Sequence, residues 1–372
     1  MSTAKRWIIC GGILVVLIII NVFYLLNIPT SRKVKAPGRQ FMVQQAEAPQ
    51  QLAQPKDETI TLLAVGDIML SRNVAATLKK ENDLHYPFSS LQPLISRADI
   101  AFGNLESPIT PGPVIQTGSF TFHADPGIEQ SLAWAGFDVL SLANNHFPNY
   151  GAKGIADTRN LLDQAGIRYT GAGANIEQAL TPAIREVCGK KFGFLAFNDG
   201  DVVPTAYGAT KKNAGTALMN VDTLKQAVTS LRPQVDYVIV SMHSGTEYSA
   251  VPNQRQIDFA HAAIDNGADL VIGHHPHVVQ SIEKYQGKYI LYSLGNFIFD
   301  QMFSTETRQG LMAEISFDDQ GVNDIVLLPT QIENYSQPQI LDLTKAGDIQ
   351  RRLKISLATT TLDNFSVWRI DK

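Results

Sequence analysis

Residues 268 to 277 read Ala-Asp-Leu-Val-Ile-Gly-His-His-Pro-His, an apolar run that ends in three imidazoles, His274, His275 and His277. Leu270 to Ile272 has the short, branched composition of a buried parallel strand. Gly273 is expected to allow a sharp exit, and Pro276 to stiffen the loop that presents His275 and His277. Neutral imidazole is the commonest metal ligand, and open α/β sheets bind ligands at the carboxyl ends of their strands. Three of the chain's eight histidines fall within these four positions, so a metal site is the first expectation, set against a surface loop that merely happens to be histidine-rich.

The same grammar recurs upstream. Thr59 to Val65 is an apolar, β-branched run that ends in Gly66-Asp67, followed by a helix-compatible stretch from Asn73 to Lys80. Ala98 to Phe102 leads to Gly103-Asn104-Leu105-Glu106. Phe137 to Ala143 leads to Asn144-Asn145-His146 and then to a helix over Gly154 to Gln164, stopped by Gly166. Asp236 to Val240 delivers His243, and a helix over 254 to 265, stopped by Gly267, feeds the histidine strand. Repeated strand, polar loop and helix units predict an α/β domain with helices outside and the ligand-type loops gathered at one edge. Lys288 to Tyr292 and Leu311 to Phe317 read as strands, with a hairpin turn over Asp318 to Gly321 into Ile325 to Leu328, so the sheets are expected to be mixed. The tail from Leu343 to Ala358 reads as a terminal helix whose Arg351, Arg352 and Lys354 face solvent. There is no internal repeat, no glycine-rich phosphate loop and no Gly-x-Ser-x-Gly elbow.

The side chains that end these strands are Asp67, Glu106, Asn145, His146, His243, His275 and His277. Carboxylate, amide and imidazole donors together suit Zn, Mn or Fe and disfavour an all-oxygen calcium cage. Asp67, Glu106, Asn145, His243, His275 and His277 are too many ligands for one tetrahedral ion and match two ions ~3.5–4 Å apart, a pair that can bind a phosphoryl oxygen and activate water. His146, next to Asn145, is the candidate general acid. His274 is open between ligand, supporting residue and bystander. His85, His123 and His261 lack a strand-end context and read as structural or surface residues.

At the amino terminus Lys5 and Arg6 precede an apolar stretch from Trp7 to Ile28, which as a helix reaches ~33 Å and would cross a bilayer core. With no cleavage site after it, the stretch reads as an uncleaved single-span anchor. Residues 29 to 57, rich in Pro, Gln and Ala, read as a flexible tether. Lys5 and Arg6 are balanced by Arg32, Lys33, Lys35 and Arg39, so charge leaves the orientation open. A net charge of −4 gives no reason to expect nucleic acid. Of the two cysteines Cys10 lies in the anchor, leaving Cys188 without an intrachain partner in the domain, an inert thiol rather than a nucleophile.

Taken jointly, Gly66-Asp67-Ile68-Met69-Leu70, Gly103-Asn104-Leu105-Glu106, Asn144-Asn145-His146, His243-Ser244-Gly245-Thr246-Glu247-Tyr248, His275-Pro276-His277 and Tyr292-Ser293-Leu294-Gly295-Asn296-Phe297 resemble the CapA (PgsA) family of capsule and poly-γ-glutamate biosynthesis proteins, itself similar to the calcineurin-like metallophosphoesterases. The resemblance covers roughly residues 59 to 330. It implies a four-layer α/β/β/α metallophosphoesterase-like sandwich preceded by one transmembrane helix: a stub and anchor over 1–28, the tether over 29–57, the domain over 58–335 and a C-terminal extension over 336–372 packed on it. It further implies a bacterial cell-membrane protein with a cytoplasmic amino terminus, an extracytoplasmic domain, membrane-bound polymer synthetase subunits as partners and an anionic polymer as cargo.

Carried over by position, the phosphoesterase pattern makes Asp67, Asn145, His243, His275 and His277 metal ligands and His146 the acid. Asn104, Glu247, His274 and Asn296 become supporting or substrate-binding residues. Two positions depart from the pattern: Met69 stands where a phosphoesterase has a ligating His, and Asn104 where it has the bridging Asp, with Glu106 as the replacement bridge. The centre is then either a hydrolase for a phosphate ester or acyl phosphate, a grip for a polymer carboxylate, or a binding pocket on a non-catalytic scaffold. A general envelope phosphatase is a further alternative.

Overall fold

The parallel core begins with β1 (Ile60–Ile68), β2 (Ile100–Leu105), β3 (Val139–Ser141) and β4 (Arg168–Thr170), which lie side by side in that order. The computed structural model describes residues 59–112 and 121–371, all within the compact unit Pro55–Lys372. The expected anchor, tether and Cys10 lie outside these residues. Among the described residues no helix is long and apolar enough to cross a membrane.

After a two-residue pair, β5 (Ala172–Gly173) with β8 (Gly215–Thr216), the chain builds a second sheet. It comprises β6 (Ala183–Val187), β7 (Lys190–Asn198), β9 (Tyr237–His243), β10 (Leu270–His274), β11 (Ile282–Tyr285) and β12 (Lys288–Leu291), in the order β11-β12-β10-β9-β7-β6. The chain then returns to the first sheet through β13 (Asn296–Ile298), β14 (Gln309–Asp318), β15 (Gly321–Glu333), β16 (Gln337–Ile340), β17 (Leu357–Leu362) and β18 (Phe365–Ile370), giving ten strands. β14 runs antiparallel to β1 while β2 and β13 run parallel to it, so the first sheet is mixed as expected.

Alternation along β1 shows how the layers form. Leu62 and Ala64 face the second sheet, in a core shared with Phe102, Phe194, Ile239, Leu270 and Ile272. Leu63 and Val65 face the opposite way, towards Val74 and Leu78 of the helix Arg72–Glu81 and Leu162 of the helix Gly151–Ala165. On the far side, Val238, Val240 and Val271 pack against Leu224 and Val228 of the helix Val221–Leu231 and Phe259 of the helix Gln254–Asp265. The layers therefore run helix, sheet, sheet, helix, and strands apolar on both faces are the consequence. Each fully buried Phe or Leu contributes roughly 1.5–3 kcal/mol, so the three apolar seams hold the sheet edges in register.

Two expectations need correction. The tail does not continue as one helix to Ala358: the helix Gly347–Leu353 ends at Lys354, in the left-handed region, and β17 and β18 follow. Nor is 336–372 an added extension, because β16 and β18 both pair with β15 inside the first sheet. The hairpin of β6 and β7 was likewise not foreseen in the sequence.

Candidate metal centre and its cleft

Register sets the site. In the first sheet Asn296, Asp67, Asn104 and Ser141 are cross-strand neighbours, and in the second Asn198, His243 and His274 are. Both rows lie at the carboxyl ends of parallel strands, where such sheets present ligands. Two glycines permit the approach of the strands there. A Cβ at Gly66 would lie 2.0 Å from the Gly295 carbonyl oxygen, and one at Gly273 would lie 2.0 Å from that of Tyr292. Gly273 thus serves close packing within β10, and the sharp exit falls instead to His275 (φ 98°) and His277 (φ 58°). Left-handed backbone at a non-glycine residue costs on the order of 1–3 kcal/mol, the kind of local strain found at functional sites.

The expected ligands converge. His243 Nε2 lies 3.0 Å from Asn145 Oδ1 and 3.2 Å from His275 Nδ1, and His277 Nδ1 lies 3.3 Å from Asp67 Oδ2. Glu106 Oε1 stands 3.9 Å from His146 Nε2, 3.9 Å from His243 Nε2 and 3.8 Å from His277 Nε2. Both Glu106 oxygens are buried with no hydrogen-bond partner among the described residues. A buried carboxylate without a donor is costly, and a cation among these nitrogens would satisfy it. The residues present therefore fit a divalent metal. Ligand atoms of Asp67, Glu106 and His243 lie within 4.8 Å of one another, and those of Glu247, His275 and His277 do likewise. Glu247, expected only to support the site or bind substrate, is placed where it can itself ligate.

Electrostatics agree with a site prepared for positive charge. Burial, and then the neighbouring Asp67 charge, push the Glu106 carboxyl well above its ordinary range. Burial alone would raise Asp67 too, but the hydrogen bond from His277 and the charges of His274 and His277 outweigh it and hold Asp67 low. Burial, then His275, draws His243 well down, and burial, then His277, brings His275 to about 3. Both rings are thus neutral and able to ligate.

The remaining residues sort by their partners. Asn296 Oδ1 meets His277 Nδ1 at 2.9 Å, which turns Nε2 of that ring towards Glu106. His274 points between the sheets, its Nε2 3.2 Å from the Val65 carbonyl oxygen and its Nδ1 3.4 Å from Ser241 Oγ, so it ties β10 to β1 rather than ligating. Asn104 Nδ2 donates to Asp67 Oδ1 at 2.8 Å and lies 3.3 Å from His243 Nδ1. Met69 is wholly buried and its sulfur accepts the Ser71 N–H at 3.1 Å. Neither Asn104 nor Met69 offers a ligand. His146 stacks on Phe122 at 3.8 Å with Nδ1 3.2 Å from Asn149 Oδ1. His85 stacks on Trp134, His123 meets Tyr150 and His261 meets Glu283, all apart from the cluster.

Some contributors were missed in the sequence. Asn144 donates to Asn104 Oδ1 and the Leu105 carbonyl, and its own Oδ1 accepts from His146 N and Phe147 N, so it fixes both flanking ligand loops. The doubled asparagine was its signal. Asp199 accepts from Ser244 Oγ and pairs with Arg255 behind His243, with no motif to mark it. The cleft over the centre, about 340 Å³, is lined by His146, Glu247 and His277 together with Arg72, Tyr248 and Asp300.

Fold and site together define a layered α/β protein with a buried carboxylate–imidazole centre fitted to divalent metal. The chain belongs to the bacterial capsule synthesis protein family PGA_cap, whose profile matches residues 61–301. It is 33% identical to a capsule biosynthesis protein CapA of Bacillus anthracis over 323 residues, 84% of this chain and 77% of that one. A PGA biosynthesis protein CapA of Bacillus subtilis is 30% identical over 319 residues, 85% of this chain and 81% of that one. A Mycobacterium tuberculosis protein that bears the name "Probable polyglutamine synthesis accessory protein" is 29% identical over 250 residues, 64% of this chain and 66% of that one.

Proposed function

We propose that this chain supports the making or export of an anionic capsule polymer, poly-γ-glutamate, through a metallophosphoesterase-like domain. In this reading, residues 7–28 hold the domain outside the cytoplasmic membrane beside polymer synthetase subunits. The names of its relatives support the process, and the helix, sheet, sheet, helix layering supports the domain type. The observation that carries the chemistry is Glu106, a buried carboxylate with no donor of its own, facing three imidazoles.

The reaction assigned is hydrolysis of a phosphate ester or acyl phosphate. Water oxygen bonds to phosphorus and gives up a proton to solvent, and the bond from phosphorus to the leaving oxygen breaks; the alkoxide of an ester takes a proton, whereas an acyl phosphate leaves as a carboxylate and needs none. Bound divalent ions, held by Asp67, Glu106, Asn145, His243, Glu247, His275 and His277, would supply Lewis-acid charge. In this reading His146 gives the proton, supported by Asn149 at Nδ1, Phe122 against the ring and Nε2 towards Glu106. The test is turnover of a model phosphodiester and of acetyl phosphate by the detergent-solubilised full chain with added Mn or Zn. Metal-dependent turnover is expected, with phosphodiester turnover falling about 100-fold or more in His146→Ala while metal is retained. No turnover of either compound by metal-loaded protein would remove the hydrolase assignment.

A second reading draws on Asn104 and Met69. Because neither offers a ligand, the centre can hold ions yet serve to grip polymer carboxylates within a scaffold. Polymer binding by metal-loaded protein without turnover would favour it.

A further inference from the structure

Arg72 lines the cleft with features that the metal chemistry leaves unexplained. It opens the helix Arg72–Glu81 with φ 52°, a left-handed backbone that an arginine adopts only under constraint. Its guanidinium lies 4.6 Å from the Phe122 ring centre and 5.8 Å from that of Phe299. Nη2 pairs with Asp300, whose second oxygen accepts the Asn73 N–H at 3.2 Å. Nε is buried without a hydrogen-bond partner among the described residues, yet the side chain as a whole is 29% exposed. A partly exposed ion pair alone is worth too little to account for both the strained backbone and the unpartnered Nε.

The position of Arg72 supplies the account. Phe122 carries the His146 ring as well as the guanidinium, so one aromatic side chain sets the candidate acid and this cation together. A cation held over an aromatic ring, lining the same cleft as His277 and Glu247, has the chemistry to receive an oxyanion beside its Asp300 partner.

We propose that Arg72 is a specificity-determining residue that receives a second carboxylate of the substrate, on a unit adjacent to the group engaged at the centre. The inference rests on the metal-site reading above and names its substrate class: a chain with a carboxylate on each unit, as a γ-linked glutamate polymer has, preferred to a singly charged ester.

The test is calorimetric titration of the metal-loaded full chain in detergent with three probes: γ-linked triglutamate, the same peptide with its α-carboxylates amidated, and inorganic phosphate. Arg72→Gly suits its positive φ and removes the cation without straining a new side chain, while Arg72→Lys keeps the charge but not the planar fork. Triglutamate affinity is expected to fall about tenfold or more in Arg72→Gly and less in Arg72→Lys. The amidated peptide should bind wild type as weakly as triglutamate binds Arg72→Gly, and phosphate should be indifferent to the change. Equal triglutamate binding by wild type and Arg72→Gly, at equal metal content, would overturn the role of Arg72 and leave the metal reading standing. A phosphate affinity that falls as far as the triglutamate affinity would place Arg72 at the centre itself and overturn the second-anion assignment. Arg72-dependent triglutamate binding by protein that takes up no metal would support Arg72 and refute the metal reading. Failure of metal-loaded wild type to bind triglutamate would overturn the second-anion assignment and leave the metal reading standing.

Discussion

Asn104 donates its side-chain amide to Asp67, with Nδ2 2.8 Å from Oδ1, at two neighbouring positions of β1 and β2. Asn104 thus presents an amide donor, not a carboxylate, beside Asp67. The Asp67 oxygen facing Asn104 is already satisfied, and Glu106 is left as the buried carboxyl group whose oxygens accept no hydrogen bond. Asn104→Asp is therefore expected to act in opposite directions with and without metal. Without metal, two carboxylates face each other in a dry site and stability falls on the order of 3 kcal/mol. With excess Mn or Zn the new carboxylate ligates, and stability and metal affinity both rise above wild type. Urea melts with chelator and with metal check this, and a variant equally destabilised in both conditions would contradict it.

The metal-free protein should carry two opposed pH dependences. His275 is held at about 3 against an ordinary 6.5, and His243 is shifted the same way. Below pH 6.5 the unfolded chain takes up protons that these folded rings refuse, so stability declines as pH falls from 6.5 towards 3. Glu106 is shifted upward from 4.5, so its folded form keeps a proton that the unfolded chain has released. That contribution is full below pH 4.5 and is lost as pH rises through the raised value. Metal binding must expel the Glu106 proton, so affinity should rise with pH and binding should release a proton. Calorimetry in buffers of different ionisation enthalpy measures the release. It should vanish in Glu106→Gln, and persistence there would assign the proton elsewhere.

Asn296 acts through His277. The 2.9 Å contact to Nδ1 fixes which ring nitrogen faces the centre, while the amide nitrogen of Asn296 is itself held by Gln301 and the Thr307 carbonyl. Asn296→Ala should weaken metal affinity about 10–100-fold with a small effect on the metal-free melting temperature. Unchanged affinity, measured by competition with a chelator of known strength, would show that His277 is held by its backbone alone.

Much of this site was legible because its chemistry follows strand ends. Asp67, Glu106, Asn145, His243 and the 275–277 pair each follow an apolar run, and parallel strands bring such ends to one edge whatever their sequence separation. The helix Gln254–Asp265 was equally plain, with a capping box of Asn253 and Gln256 at its start. Arg72 and Asp300 could not be read the same way. They are 228 positions apart, and only the return of the chain through β13 brings them together.

The C-terminal hairpin was missed although its signal is present. Thr359, Thr360 and Thr361 form a β-branched run, and Asp363 and Asn364 (φ 47° and 69°) make a two-residue turn of the primed kind. The strand Lys190–Asn198 was obscured by Gly193, which is there because a Cβ would lie 2.9 Å from the Leu231 side chain.

Metal content decides most. Elemental analysis of the full chain, purified without chelator and loaded with Mn or Zn, should give about two equivalents of divalent metal. The His275→Ala, His277→Ala double variant should keep at most the ion that Asp67, Glu106 and His243 can hold. Wild-type protein that binds no divalent metal, or a double variant that binds as much as wild type, would contradict the assignment of this centre.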